Sequence, residues 1–295
     1  MIFKYDICDV TTSDQFEQVF NDDTQIIERI GLIRYSDDDN KYKCVIQYLE
    51  TDEDNDINLI VSGKYNQFYG SRWCAIKLEI PLYIIVANRY THLFTIINII
   101  PNMVSFKIKD LKKLDENDFA KWWKTINCNI RYTGLQNNNQ KHTRYLINQV
   151  LQKNNLGFGV DVDGATFLIN EKRIYSLLEY KKTNKKLLCR YNPLYYYLQK
   201  NNNGYPKGNF KEWNFLWFLK TKLNINLFLI TFSSLKGEGG KCGFFNVIGM
   251  VENGPIIVKD IENTNVESYD LGENHDFVNT YKKISEKIKE YANEN

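Results

Sequence analysis

The chain has 295 residues, 43% of them hydrophobic, and 38 basic against 36 acidic side chains. That content excludes a disordered segment and suffices for one large or two smaller cores. The near-neutral total hides a segregation: residues 1–60 hold fifteen acids against five bases, residues 61–158 fourteen bases against five acids, and residues 171–222 twelve bases against three acids. Two basic stretches suit a polyanionic partner, since neutralising phosphates drives association.

In chain order, Phe16 to Ile30 has helical spacing. Gly31–Tyr35, Lys43–Glu50, Ile57–Gly63, Trp73–Ala87 and Thr91–Ile99 read as strands between Asp- and Asn-rich turns. The acids of 52–56 alternate as in a calcium loop, but Ile57 stands where the sharp turn needs glycine, so the stretch is a solvated turn. Asp115–Ile126 reads as a helix, and the polar run Gly134–Gln140 as a linker. These signals divide the chain into a β-rich α+β domain, 1–134, for recognition or assembly, and a second domain, 141–295.

Within the second domain Thr143–Lys153 is a predicted helix. Gly159–Asp163, Ala165–Ile169 and Ile174–Lys181 form a predicted three-strand meander, with a turn at 170–173. A helix over Trp213–Leu223, strands over Asn226–Ser233 and Gly243–Val251, and a helix from Phe277 capped by Asp276 complete it. The expected class is α/β, a mixed central sheet flanked by helices. No internal repeat is visible in the sequence.

The chemistry concentrates in the meander. Acid-x-Lys occurs three times, at Asp39-Asn40-Lys41, Asp110-Leu111-Lys112 and Glu179-Tyr180-Lys181, and about four copies are expected by chance. Only the third ends an apolar strand, where Glu179 and Lys181, two apart, share a face. A carboxylate there needs an organising partner, and a divalent cation is the obvious one. Asp163, at the turn between two strands of the meander, supplies a second hard oxygen donor. Two such ligands plus water and phosphate suit Mg²⁺, with Mn²⁺ able to substitute. The metal would generate a nucleophile from bound water, and Lys181 would orient that water or neutralise developing charge.

Asp163-Gly164, the apolar strand that follows and Glu179-Tyr180-Lys181, set between helices, resemble the PD-(D/E)XK nuclease superfamily over roughly residues 142–251. The resemblance implies a restriction-endonuclease-like fold and Mg²⁺-dependent hydrolysis of phosphodiester bonds in DNA, of restriction or defence type. Asp163 and Glu179 would be metal ligands and Lys181 the catalytic lysine. Val162 stands where the family name has proline. The preceding helix offers Asn148 and Gln149 where many members carry a metal-binding glutamate. Asp161 is a third candidate ligand; alternatively it is the principal one and Asp163 caps the turn.

Lys182, Lys185, Lys186 and Arg190 are the expected phosphate contacts. Cleaving both strands of a duplex requires two centres, so a homodimer is expected. The alternative is a non-catalytic nucleic-acid-binding or assembly protein on a degenerate nuclease fold. Six scattered cysteines and three isolated histidines give no local zinc site. Acids near the start and the absence of an apolar run of roughly 20 residues predict a cytoplasmic protein without membrane contact.

Overall fold

The computed structural model describes residues 2–4, 20–36, 41–52, 58, 68–103, 107–126, 145–157, 159–183, 210–233, 242–247, 249, 261–262 and 277–293. The strands are β1 (Ile2–Lys4), β2 (Gln25–Glu28), β3 (Gly31–Ser36), β4 (Lys41–Thr51), β5 (Leu82–Asn88), β6 (Phe94–Ile100), β7 (Lys107–Leu114), β8 (Val160–Val162), β9 (Gly164–Leu168), β10 (Arg173–Thr183), β11 (Asn226–Ser233), β12 (Cys242–Val247) and β13 (Ile261–Glu262). The helices are α1 (Tyr69–Leu78), α2 (Glu116–Thr125), α3 (Leu146–Lys153), α4 (Phe210–Leu223) and α5 (Phe277–Asn293). The class is α/β with two mixed sheets. Among the described residues no helix is long and apolar enough to cross a membrane.

The chain divides into two compact units. Unit 1 comprises Met1–Ile7 and Arg29–Asp161; unit 2 comprises Cys8–Glu28 and Val162–Asn295. This replaces the expected division at 134–141. The reason lies in α3, whose Leu146, Ile147, Val150 and Leu151 enter one core with Phe94, Phe119 and Trp123. That apolar face fixes the helix in unit 1 irrespective of the polar run before it.

Unit 1 is a sheet in the order β7-β6-β5-β4-β3-β8, with β1 on β4. β4 and β5 are parallel through α1, and the pairs β3–β4, β5–β6 and β6–β7 are antiparallel. Ile46 and Tyr48 turn one face of β4 towards α2 and α3, where Phe94 and Phe119 stack at 4.0 Å between ring centroids. Arg34, fully buried, donates to the Gly157 carbonyl at 3.0 Å and lies over the Trp123 ring, whose Nε1 donates to the same carbonyl at 2.9 Å. The Glu50 carboxylate, also buried, accepts from Tyr48 Oη at 2.7 Å, from the Leu146 amide and from Arg89 Nε at 2.6 Å. It thereby satisfies an orphan donor at the start of α3.

Unit 2 is a sheet in the order β13-β12-β11-β10-β9-β2. β10 and β11 are parallel through α4, and every other neighbouring pair is antiparallel. Leu178 and Tyr180 on β10, Phe228 and Ile230 on β11 and Phe244 on β12 share a face with Phe20 and with Ile284 and Ile288 of α5.

Local structure departs from expectation in several places. The helix over Phe16–Ile30 gives way to the helical residue Phe20, a turn and β2. The Asp22 carboxylate accepts from the Thr24 amide at 2.7 Å and the Gln25 amide at 3.0 Å, and this Asx turn starts the strand. Trp73–Ala87 is not one strand: α1 ends at Glu79, with φ 56°, and Pro81 separates it from β5. The lysine-rich 107–114 forms edge strand β7, because an edge needs only main-chain pairing on one side and tolerates exposed lysines. The last predicted strand stops at Val247 within the described residues. Of the strand expected at 57–63 only Asn58 is described, and it is helical; the 134–140 linker and the Asp276 cap lie outside the described residues.

Candidate metal centre

The meander of unit 2 is built differently from the sequence expectation. Its first strand is β2, from residues 25–28, paired antiparallel with β9, whereas β8 belongs to the sheet of unit 1. The hairpin β9–β10 itself holds. Thr166 and Ser176 meet through their hydroxyls across it, and a turn at 169–172, one residue earlier than expected, closes it. Gly164 begins β9 because a side chain there would press on its partners: an added Cβ would come within 3.1 Å of Tyr180 Oη and 3.3 Å of Leu178 Cβ.

This register positions both carboxylates. The last pair of the ladder is Leu178 with Gly164, and continuing it by one residue sets Asp163 opposite Glu179. At Asp163 the chain leaves the ladder, and Asp163 Oδ2 accepts the Tyr180 amide at 2.9 Å in place of a backbone carbonyl. Glu179 is 1% exposed. It alternates with Leu178 and Tyr180, so it lies on the opposite face of the sheet from the core of Phe228 and Ile284. Lys181 is two positions further along that face, paired in parallel register with Thr231. Its side chain lies outside the described residues, as does that of Lys182; Lys185, Lys186 and Arg190 lie outside them altogether.

Asp161 is placed elsewhere. It is the last residue of unit 1, and its carboxylate forms an ion pair with Arg29 of the same unit. Asn148 and Gln149 are also in unit 1: Asn148 is buried on α3 and Gln149 exposed. Among the described residues no three His, Cys, Asp or Glu side chains gather as a ligand set. Among the described residues of unit 2, the candidate donors that the register sets opposite one another are the two carboxylates, Asp163 and Glu179. Two hard oxygens on adjacent strands fit Mg²⁺, which binds through one or two carboxylates and keeps several waters. They do not fit zinc, which wants nitrogen or sulfur donors in a closed set.

No family model, curated protein or solved structure matches this chain.

One signal for the architecture of the site was present but unread. Asn21-Asp22-Asp23-Thr24 is a turn signature placed just before a short apolar run, and it marks β2 as a strand. With β2 in the meander, the chain segment leading into the sheet of unit 2 is the one ending at Phe20. Its acids Asp14 and Glu17 lie outside the described residues.

Proposed function

We propose that unit 2 is a Mg²⁺-dependent nuclease of the PD-(D/E)XK type, restriction-endonuclease-like in fold, hydrolysing phosphodiester bonds in DNA. The observation that carries the reading is the ladder of β9 and β10. It sets Asp163 opposite Glu179, buries Glu179 away from the apolar core and puts Lys181 next on the same face.

Asp163 and Glu179 would hold the metal, with Mn²⁺ able to substitute. When bound, the ion would supply an activated water and stabilise charge on the phosphoryl oxygens. The Tyr180 amide orients Asp163 by occupying one carboxylate oxygen, which fixes the direction of the other. Burial of Glu179 excludes bulk water from its carboxylate and strengthens its attraction for a cation. Lys181 would hold the attacking water or neutralise the phosphorane oxygens.

Lys182, Lys185, Lys186 and Arg190 would meet the phosphate backbone. In unit 1 the exposed Lys107, Lys109, Lys112 and Lys113 of β7 offer a second basic row. Those contacts would give salt-dependent binding to duplex DNA, cleavage of both strands requiring a second copy of the chain. The protein would act in the cytoplasm, in restriction or defence.

The deciding experiment is cleavage of supercoiled plasmid by the full chain with Mg²⁺ and with EDTA. Metal-dependent conversion to nicked or linear DNA is expected, lost in Lys181→Ala. Salt-sensitive DNA binding with no cleavage of DNA or RNA under any divalent cation would favour the second reading, a binding module. The ion pair of Asp161 with Arg29 motivates that second reading, since it engages a third candidate ligand in unit 1.

A further inference from the structure

The hairpins of the two units pair identically. In unit 1 the register is Leu32↔Ile46, Ile33↔Val45 and Arg34↔Cys44, then a bulge that skips Lys43, then Tyr35↔Tyr42 and Ser36↔Lys41. In unit 2 it is Gly164↔Leu178, Ala165↔Leu177 and Thr166↔Ser176, a bulge that skips Tyr175, then Phe167↔Ile174 and Leu168↔Arg173. Every pair of the second set is a pair of the first moved along the chain by the same step, bulge included. β4 and β10 are both 11 residues long.

The agreement continues outward. Each hairpin is followed by a helix, α1 or α4, then a strand parallel to the long one, with Val45↔Leu82 matching Leu177↔Leu227. Each then adds two antiparallel neighbours and a C-terminal helix, α2 or α5. The core face corresponds as well: Ile46 and Tyr48 face α2 as Leu178 and Tyr180 face α5. The sixth position of each sheet is filled by the strand that precedes the other hairpin in the chain. β2, ahead of β3, lies beside β9, and β8, ahead of β9, lies beside β3.

This register assigns partners to the candidate site. Gly31 corresponds to Asp163, Gln47 to Glu179 and Leu49 to Lys181. Unit 1 has closed the same place. Gly31 has φ +88°, and a Cβ there would stand 2.4 Å from the Ile46 carbonyl and 3.3 Å from the Gln47 amide carbon. The two N–H groups of Gln47 Nε2 are shared among three acceptors, the Arg29 carbonyl at 2.8 Å, the Ile30 carbonyl at 2.9 Å and the Ser71 hydroxyl of α1 at 2.6 Å. A neutral amide tied to three oxygens leaves no cation site, and no side chain fits at 31.

We infer that the chain is an internal duplication of one α/β unit, each copy completing its sheet with the other's leading strand, and that only the second copy holds a carboxylate site. The duplication stands on the registers alone; the chemistry of the second copy rests on the proposed nuclease reading. A single centre per chain follows, so one chain nicks and a duplex break needs two chains.

The test compares matched positions in the full chain by thermal melting and by Mn²⁺ titration in a calorimeter. Gly31→Ala and Gln47→Glu are expected to lower the melting temperature by about 5 °C or more, since both attack a packed structural position. Asp163→Asn keeps an acceptor for the Tyr180 amide and Glu179→Gln keeps shape. Both are expected to stay within about 2 °C of wild type or to rise, as removal of a functional buried charge usually stabilises, and to lose Mn²⁺ binding. Equal melting losses at all four positions would overturn the asymmetry, because both copies would then be structural there. Mn²⁺ binding that survives in Glu179→Gln would overturn the site. A wild type that binds no Mn²⁺ would overturn the metal assignment and the nuclease reading with it, while the melting contrast would still decide whether the two copies differ.

Discussion

The two units answer one local problem in opposite ways. At the same point of the same hairpin, unit 1 places an amide and unit 2 a carboxylate, both almost wholly buried. The amide of Gln47 is satisfied by two carbonyls and a hydroxyl, so burial there costs little and fixes α1 on the strand. A buried carboxylate is costly unless cations or donors meet it. Maintaining one inside β10, with a second acid across the ladder, suits a position where chemistry sets the residue as well as stability.

The largest expected effect is on activity. Glu179→Gln should lower Mg²⁺-dependent plasmid cleavage by at least about 10²-fold, the scale of losing one transition-state charge stabiliser, and Gln47→Ala should leave the cleavage rate of the folded protein unchanged. A rate that follows Gln47 as closely as Glu179 would erase the contrast between the units.

Next in size are core truncations. Trp123→Ala removes a fully buried ring and the partner of Arg34, and should cost about 3–5 kcal/mol in urea unfolding. Phe228→Ala should cost a similar amount in unit 2, where its ring packs on Phe244 at 5.0 Å and on Tyr291 at 5.3 Å. Hydrogen exchange sharpens the comparison: Phe228→Ala should raise exchange of residues 25–28 together with 164–168. Strand 25–28 responding instead with 31–36 would show that β2 belongs with its sequence neighbours.

Glu50→Ala should destabilise by about 2 kcal/mol, since it leaves the Leu146 amide and the Tyr48 hydroxyl to find other partners. Unit 2 has lysine, Lys182, at the corresponding strand position, so the same change has no counterpart there.

The smallest effect is a pH dependence. Partial burial pushes the Asp22 carboxyl up, but the Thr24 hydroxyl and amide, the Gln25 amide and the nearby Lys289 outweigh it and bring it to about 2. The folded value lies below the ordinary 3.8. The contribution is therefore complete above that pH and is lost as pH falls towards about 2. Asp22→Asn should flatten acid unfolding over this window, read by circular dichroism; an unchanged acid transition would remove Asp22 from the docking of β2.

Legibility followed the range of the interaction. Strands β3, β4, β6, β9, β10 and β11 and helices α2, α3, α4 and α5 were readable because alternation or helical spacing runs through them. α1 was not, because its residues 70–75 are all buried and no polar face marks its period. β7 was not, because lysines at an edge look like a loop. Of the site, Glu179, Lys181 and Asp163 were visible as residue types, but the strand expected to end at Lys181 runs on to Thr183, so Glu179 and Lys181 lie inside it. The place of Asp161 was not, since its pairing with Arg29 joins residues 132 apart in sequence.

The sequence by itself determined that two acids and a lysine stand on or beside apolar strands in an α/β chain with segregated charge, because periodicity and side-chain chemistry are local. Tertiary structure alone decided which strands share a sheet. Leading strands β2 and β8 each pair beside the hairpin that is not their neighbour in sequence, and no local propensity encodes a partner. The repeat stayed hidden for the same reason. What the two copies share is register, bulge and strand order, properties of main-chain pairing that tolerate nearly any side chain, whereas Gly31, Gln47 and Leu49 have diverged from Asp163, Glu179 and Lys181.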